Sequence, residues 1–120
     1  MTPLFCGIII KVRNLERCRN FYRDVLRLGN PVTDSNFRCE FSLGSGMRLV
    51  LCKAREEEQL AETTRSALWL VPEDPEFQLD LLASYGCLPG EDELNLLYPN
   101  VKCYHDPENN PVYIVTESMK

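Results

Sequence analysis

The chain reads as one pattern written twice. An apolar, β-branched run, "GIIIKV" at 7–12, leads into a helical segment that ends near Gly29, and strand-like segments follow. The order then repeats. "SALWLV" at 66–71 leads into a second helical segment that ends at Gly86, and more strand-like runs follow. Val12 and Val71 end corresponding strands, as Gly29 and Gly86 end corresponding helices. Two copies of a strand–helix–strands unit are too few for a solenoid. The natural division is a single domain over 1–120, with one module at 1–54, a polar linker at 55–64 and a second module at 65–120.

Within the first copy, Asn14 is placed to cap a helix. Leu15, Cys18, Phe21, Tyr22 and Val25 then recur at three- and four-residue steps along one face. Gly29 is expected to stop the helix at the position after the cap, before the Asn30-Pro31 exit. "NFRCEFSL" alternates, with Phe37, Cys39, Phe41 and Leu43 on one side and Arg38, Glu40 and Ser42 on the other. "GSG" at 44–46 predicts a hairpin, "MRLVLCK" the return strand, and "NPVTD" a short strand piece. In the second copy, Asp74 caps a helix with Pro75 at its first position. Its apolar stripe is expected at Phe77, Leu81, Leu82 and Tyr85. "LNLL" at 94–97, "VKCY" at 101–104 and "PVYIV" at 111–115 read as strands. Asp106 is expected to organise the "DPENN" turn before the last strand, and the lone His105 to sit beside it as a surface residue.

The bulk numbers restrict the function. With 44% hydrophobic and 26% charged residues, the 120-residue chain has the composition of an ordinary globule. No apolar run reaches membrane-spanning length, and the N-terminal stretch lacks the basic region and cleavage site of a secretory signal. A cytoplasmic protein with no membrane partner is the expectation. The net charge of −5 argues against nucleic acid as a partner. The arginines at 13, 17, 19, 23 and 27 spread around a helix as a solvated face. Six cysteines without a CxxC pair, mostly inside apolar runs, are expected to be reduced thiols. Zinc would need clustered ligands, which one distant histidine does not supply.

"GIIIKVRNLERCRNFYRDVLRLG" resembles the opening of the vicinal-oxygen-chelate superfamily, which includes glyoxalases, bleomycin-resistance proteins and extradiol dioxygenases. The match lies in the Val-x-Asp-Leu turn (with Asn14 in place of the aspartate), the Phe-Tyr pair and the Val-Leu-x-Leu-Gly exit. "HDPENNPVYIV" resembles the superfamily's closing Asp-Pro-x-Gly-Asn turn and last strand, with Asn109 in place of the glycine. The resemblance runs through nearly the whole chain. It implies an α+β fold of two paired βαβββ modules whose sheets curl around a shared cavity, and a homodimer. In the metal-dependent enzymes each module gives one ligand from its first strand and a glutamate from its last. Carried over by position, those places fall on Gly7 and Val50 in the first module and on Ser66 and Tyr113 in the second. None is an ordinary ligand for a catalytic divalent metal. The resemblance therefore implies no metal, no cofactor and no catalytic residue at these places.

Strand parity extends the set. If Gly7 and Val50 face the cavity, so do Ile9, Lys11, Arg48 and Cys52; Ser66 brings Leu68 and Leu70, and Tyr113 brings Pro111 and Val115. Trp69 is expected on the helix side as core. A mostly apolar wall with Lys11, Arg48, Ser66 and Tyr113 as polar features suits a small organic ligand, one carrying an anionic group included. The expected function is metal-independent binding of a small molecule without turnover, as in the bleomycin-resistance branch. Two alternatives stand beside it. One is a lyase- or dioxygenase-type enzyme with chemistry relocated to Cys52, Tyr113 or His105. The other is a partner-binding module whose cavity has collapsed.

Overall fold

The computed structural model describes residues 6–57, 67–90 and 99–116. The chain divides into two compact units, Met1–Ser66 and Ala67–Lys120. It is a mixed α+β structure with two small sheets.

The first unit contains β1 (Cys6–Val12), helix α1 (Leu15–Asn20), β2 (Thr33–Asp34), β3 (Arg38–Gly44) and β4 (Met47–Lys53). The sheet order is β1-β4-β3-β2, with β1 parallel to β4 and the other neighbours antiparallel. Alternation in β1, β3 and β4 fixes which side is covered. Ile10, Val12, Cys39, Phe41, Leu49 and Leu51 are buried on one face, against Leu15, Cys18, Phe21, Tyr22 and Val25 of the helical segment. Each such large side chain taken from water stabilises the fold by roughly 1.5–3 kcal/mol. Tyr22 anchors the packing, with its ring edge-on to Phe21 at 5.4 Å and tilted against Phe41 at 6.5 Å. Asn14 caps α1 as expected, its side chain accepting from the Arg17 N–H at 3.0 Å. Phe37 departs from expectation. It shares the parity of Cys39 and Phe41 but lies just before β3, and it is 74% exposed.

The helix ends differently from the sequence expectation. After Asn20 the chain widens into a π turn over Phe21–Val25. The wider turn brings Phe21, Tyr22, Val25 and Leu26 all into the core. The reversal comes at Arg27, with φ of +58°, two residues before Gly29. The Leu26 N–H then bonds the Phe21 carbonyl and the Leu28 N–H the Tyr22 carbonyl. Left-handed backbone costs a non-glycine residue about 1 kcal/mol. Here the π turn, rather than a glycine, sets the stop.

The second unit contains β5 (Leu68–Leu70), α2 (Pro75–Ser84), β6 (Val101–His105) and β7 (Pro111–Val115). The sheet order is β5-β7-β6, with β5 parallel and β6 antiparallel to β7. The "LNLL" strand expectation lies outside the described residues. Asp74 caps α2 by accepting from the Phe77 N–H at 3.1 Å, with Pro75 at the first position. Gly86, at φ of +80°, closes it. The expected stripe is displaced, however. α2 buries Gln78 and Leu82, while Phe77 and Tyr85 are 47% and 57% exposed. Apolar residues lie on several sides of this helix, so helical spacing alone does not select the face.

The β6–β7 turn confirms its organiser. Asp106 is buried, and its Oδ1 accepts from the backbone N–H groups of Glu108 and Asn110 at 2.9 and 2.8 Å. The Asn110 amide adds a bond to Oδ2 at 2.9 Å. Asn109 occupies φ of +69°, the conformation for which glycine is the usual residue. His105 is exposed at the end of β6. Among the described residues, no helix is long and apolar enough to cross a membrane.

Candidate functional site

Each sheet has one face packed by its helix and one face left open, and the candidate residues divide between them. On the first sheet, Gly7, Ile9 and Lys11 of β1 alternate with the buried Ile10 and Val12. Arg48, Val50 and Cys52 of β4 alternate with the buried Leu49 and Leu51. The register sets Gly7 beside Arg48, Ile9 beside Val50 and Lys11 beside Cys52. These six residues share the open face. Ile9 is 63% exposed there, a large cost for an isoleucine with nothing against it.

Glu40 joins them, and sequence reasoning passed over it. It pairs directly with Val50 across β3 and β4. Its carboxylate lies 3.7 Å from Arg48 Nε, with both side chains about a quarter exposed (24% and 25%). The alternation of "NFRCEFSL" already placed Glu40 on the polar side. A bulge between Ser42 and Gly44 shifts the register by one, so counting pairs back from the hairpin would have set Phe41, not Glu40, beside Val50.

The second sheet corrects the first-strand assignment. Trp69 pairs with Tyr113, and Leu68 pairs with Val112. Paired neighbours share a face, so Trp69 belongs with Tyr113 on the open side, with rings 6.4 Å apart and Trp69 39% exposed. Leu68 is buried on the helix side and is not part of an open face, and Leu70 has Leu68's parity. The parity counted from Val71 is therefore off by one. Ser66 itself lies outside the described residues. By the same parity Ala67, two residues before Trp69, replaces it as the counterpart of Gly7.

All six cysteines are unbridged, and Cys18, Cys39 and Cys103 are buried. Burial pushes the thiols of Cys39 and Cys87 up from the ordinary range, against the direction a nucleophile needs. Burial, with Cys87 adding to it, raises the Tyr104 hydroxyl likewise.

No family model and no curated protein matches the chain. Solved structures do. A lactoylglutathione lyase from Agrobacterium tumefaciens superposes with a TM-score of 0.69 at 17% identity, over 92% of this chain and 90% of that one. A YycE protein of unknown function from Bacillus subtilis gives 0.71 at 16%, over 98% and 92%. The oxidase ChaP-H2 gives 0.72 at 14%, over 98% and 96%. The chain has the vicinal-oxygen-chelate fold. The neighbours' differing activities show how little this fold says about chemistry on its own.

The metal positions of the vicinal-oxygen-chelate enzymes can be tested on the residues present. At Gly7 there is no side chain, and no room for one. A Cβ built there would overlap the Arg48 carbonyl oxygen and come within 3.1 Å of Arg48 Cβ. Val50 offers no donor atom, and the Tyr113 hydroxyl is a weak neutral one. No group of three or more His, Cys, Asp or Glu occurs among the described residues in an arrangement that could hold a metal ion. Glu40 is a lone carboxylate already facing Arg48. Among the described residues, the donor set does not fit a divalent metal.

Proposed function

We propose that this chain binds a small organic molecule against the open face of its first sheet, without a metal and without turning it over. The observation that carries the proposal is the donor set. Gly7 is closed to any side chain, and Val50 and Tyr113 supply no charged or imidazole ligand. What the open face does supply suits recognition. On the first sheet Ile9 is apolar surface, and Lys11 and Arg48 beside it suit an anionic group, Arg48 in part already balanced by Glu40. The same reading includes a cytoplasmic homodimer, which light scattering tests directly.

A thermal-shift screen distinguishes this reading from its competitors. Divalent metals alone should leave the melting temperature unchanged. An apolar or aromatic anion should raise it with concentration, as any ligand specific for the native state must. Replacing Arg48 with alanine should abolish that ligand's effect. Turnover that appears on adding a metal would overturn the proposal.

A further inference from the structure

A recess lies wholly within the first unit, on the side of the sheet away from the open face. It has a volume of about 680 Å³ and is walled by Arg13, Glu16, Arg19, Asn36, Phe37 and Lys53 among others. These residues come from the start of α1, the β2–β3 connection and the end of β4. We infer that this recess is a binding site for a small aromatic anion, its ring packed on Phe37 and its charged group held among Arg13, Arg19 and Lys53.

Two independent features point there. The first is charge. In a chain of net charge −5, three cations line the recess against one carboxylate, Glu16. Two of the cations are held in place. Arg13 Nη1 donates to the Arg55 carbonyl. Arg19 Nη2 donates to the Ser35 carbonyl at 3.3 Å, and Arg19 Nε lies 2.8 Å from Asp34 Oδ1 without the alignment of a hydrogen bond. Lys53 has no ion pair among the described residues. Guanidinium groups fixed in this way lose little freedom when they grip a carboxylate or phosphate.

The second feature is Phe37. It has the core parity of Cys39 and Phe41, yet it is 74% exposed. The Lys53 N–H bonds the Phe37 carbonyl at 2.9 Å, and both residues line the recess. An uncovered aromatic face beside three cations offers what an aromatic anion needs at both ends, and the volume admits a molecule of drug size. The site uses none of the open-face residues, so its failure and that of the proposal above are separable.

Amide NMR titration tests it with four probes: adenosine monophosphate, salicylate, adenosine and inorganic phosphate. Saturable shifts centred on Phe37 and Lys53 are expected with at least one of the two aromatic anions, weakening as salt rises. Whichever binds identifies the charged group as phosphate or carboxylate. Phe37→Ala and Lys53→Gln, both at the exposed rim, should each weaken binding about tenfold, while Arg38→Gln on the opposite face should not change it. The inference is overturned if neither anion binds, if adenosine or inorganic phosphate binds as tightly, or if either rim variant leaves affinity unchanged.

Discussion

The two units share a plan and fill it with different side chains. In the first, burial is spread along a helical segment with five core positions and the π turn that follows α1. In the second, α2 commits only Gln78 and Leu82 fully. The open faces diverge as well. One carries Ile9, Lys11, Arg48 and Glu40; the other carries the Trp69–Tyr113 pair. The places that the resemblance assigns to metal ligands are filled in different ways. Gly7 has no space, Val50 has no donor, and Tyr113 places a ring where an acid would be needed. A duplicated backbone thus constrains topology strongly and surface chemistry hardly at all.

The asymmetry in burial predicts the largest effect. Leu82→Ala should cost about 2–5 kcal/mol, because α2 has no other fully buried apolar side chain. Hydrogen exchange should show the loss of protection in the second unit first. Equal loss in both units would break the contrast. Next comes the β6–β7 turn. Asp106→Ala leaves the buried Asn110 N–H and the part-buried Glu108 N–H without their acceptor and should cost about 2–3 kcal/mol in urea unfolding. His105→Ala should stay within about 0.5 kcal/mol. A reversed ranking would return His105 to the centre of the account. Gly7→Ala should cost about 1–3 kcal/mol by overpacking against Arg48, whereas Val50→Ala, half-buried on the open face, should cost less. The smallest effect is a gain. Arg27→Gly relieves left-handed strain and should stabilise the first unit by about 1 kcal/mol or less.

What was legible in the sequence follows from how sharply each segment alternates. β1, β3 and β4 have one apolar and one mixed face, so Gly7, Ile9, Lys11, Arg48, Val50 and Cys52 could be placed together from parity alone. β5 is three residues long and apolar throughout, Leu68, Trp69 and Leu70. Nothing in it marks inside from outside, and counting back from Val71, which lies beyond the strand, set the parity wrong. Its pairing with Tyr113 decides the matter, and that is a long-range fact. The displaced face of α2 has a similar origin. Phe77, Leu79, Leu81 and Leu82 surround the helix, and tertiary packing selects Leu82 together with a polar Gln78 that no hydrophobic pattern would choose. The π turn leaves no trace in the composition, which is why Gly29, rather than Arg27, was expected to end the helix. The caps at Asn14 and Asp74 and the turn at Asp106 were legible because their chemistry is local.

The central claim is that this fold is kept here without its metal centre. Equilibrium dialysis of the full chain against nickel, zinc, manganese and iron(II), followed by elemental analysis, measures it most directly. The account predicts substoichiometric metal in every case, with no change in melting temperature. One tightly held ion per chain, released by chelator and accompanied by a loss of stability, would contradict it.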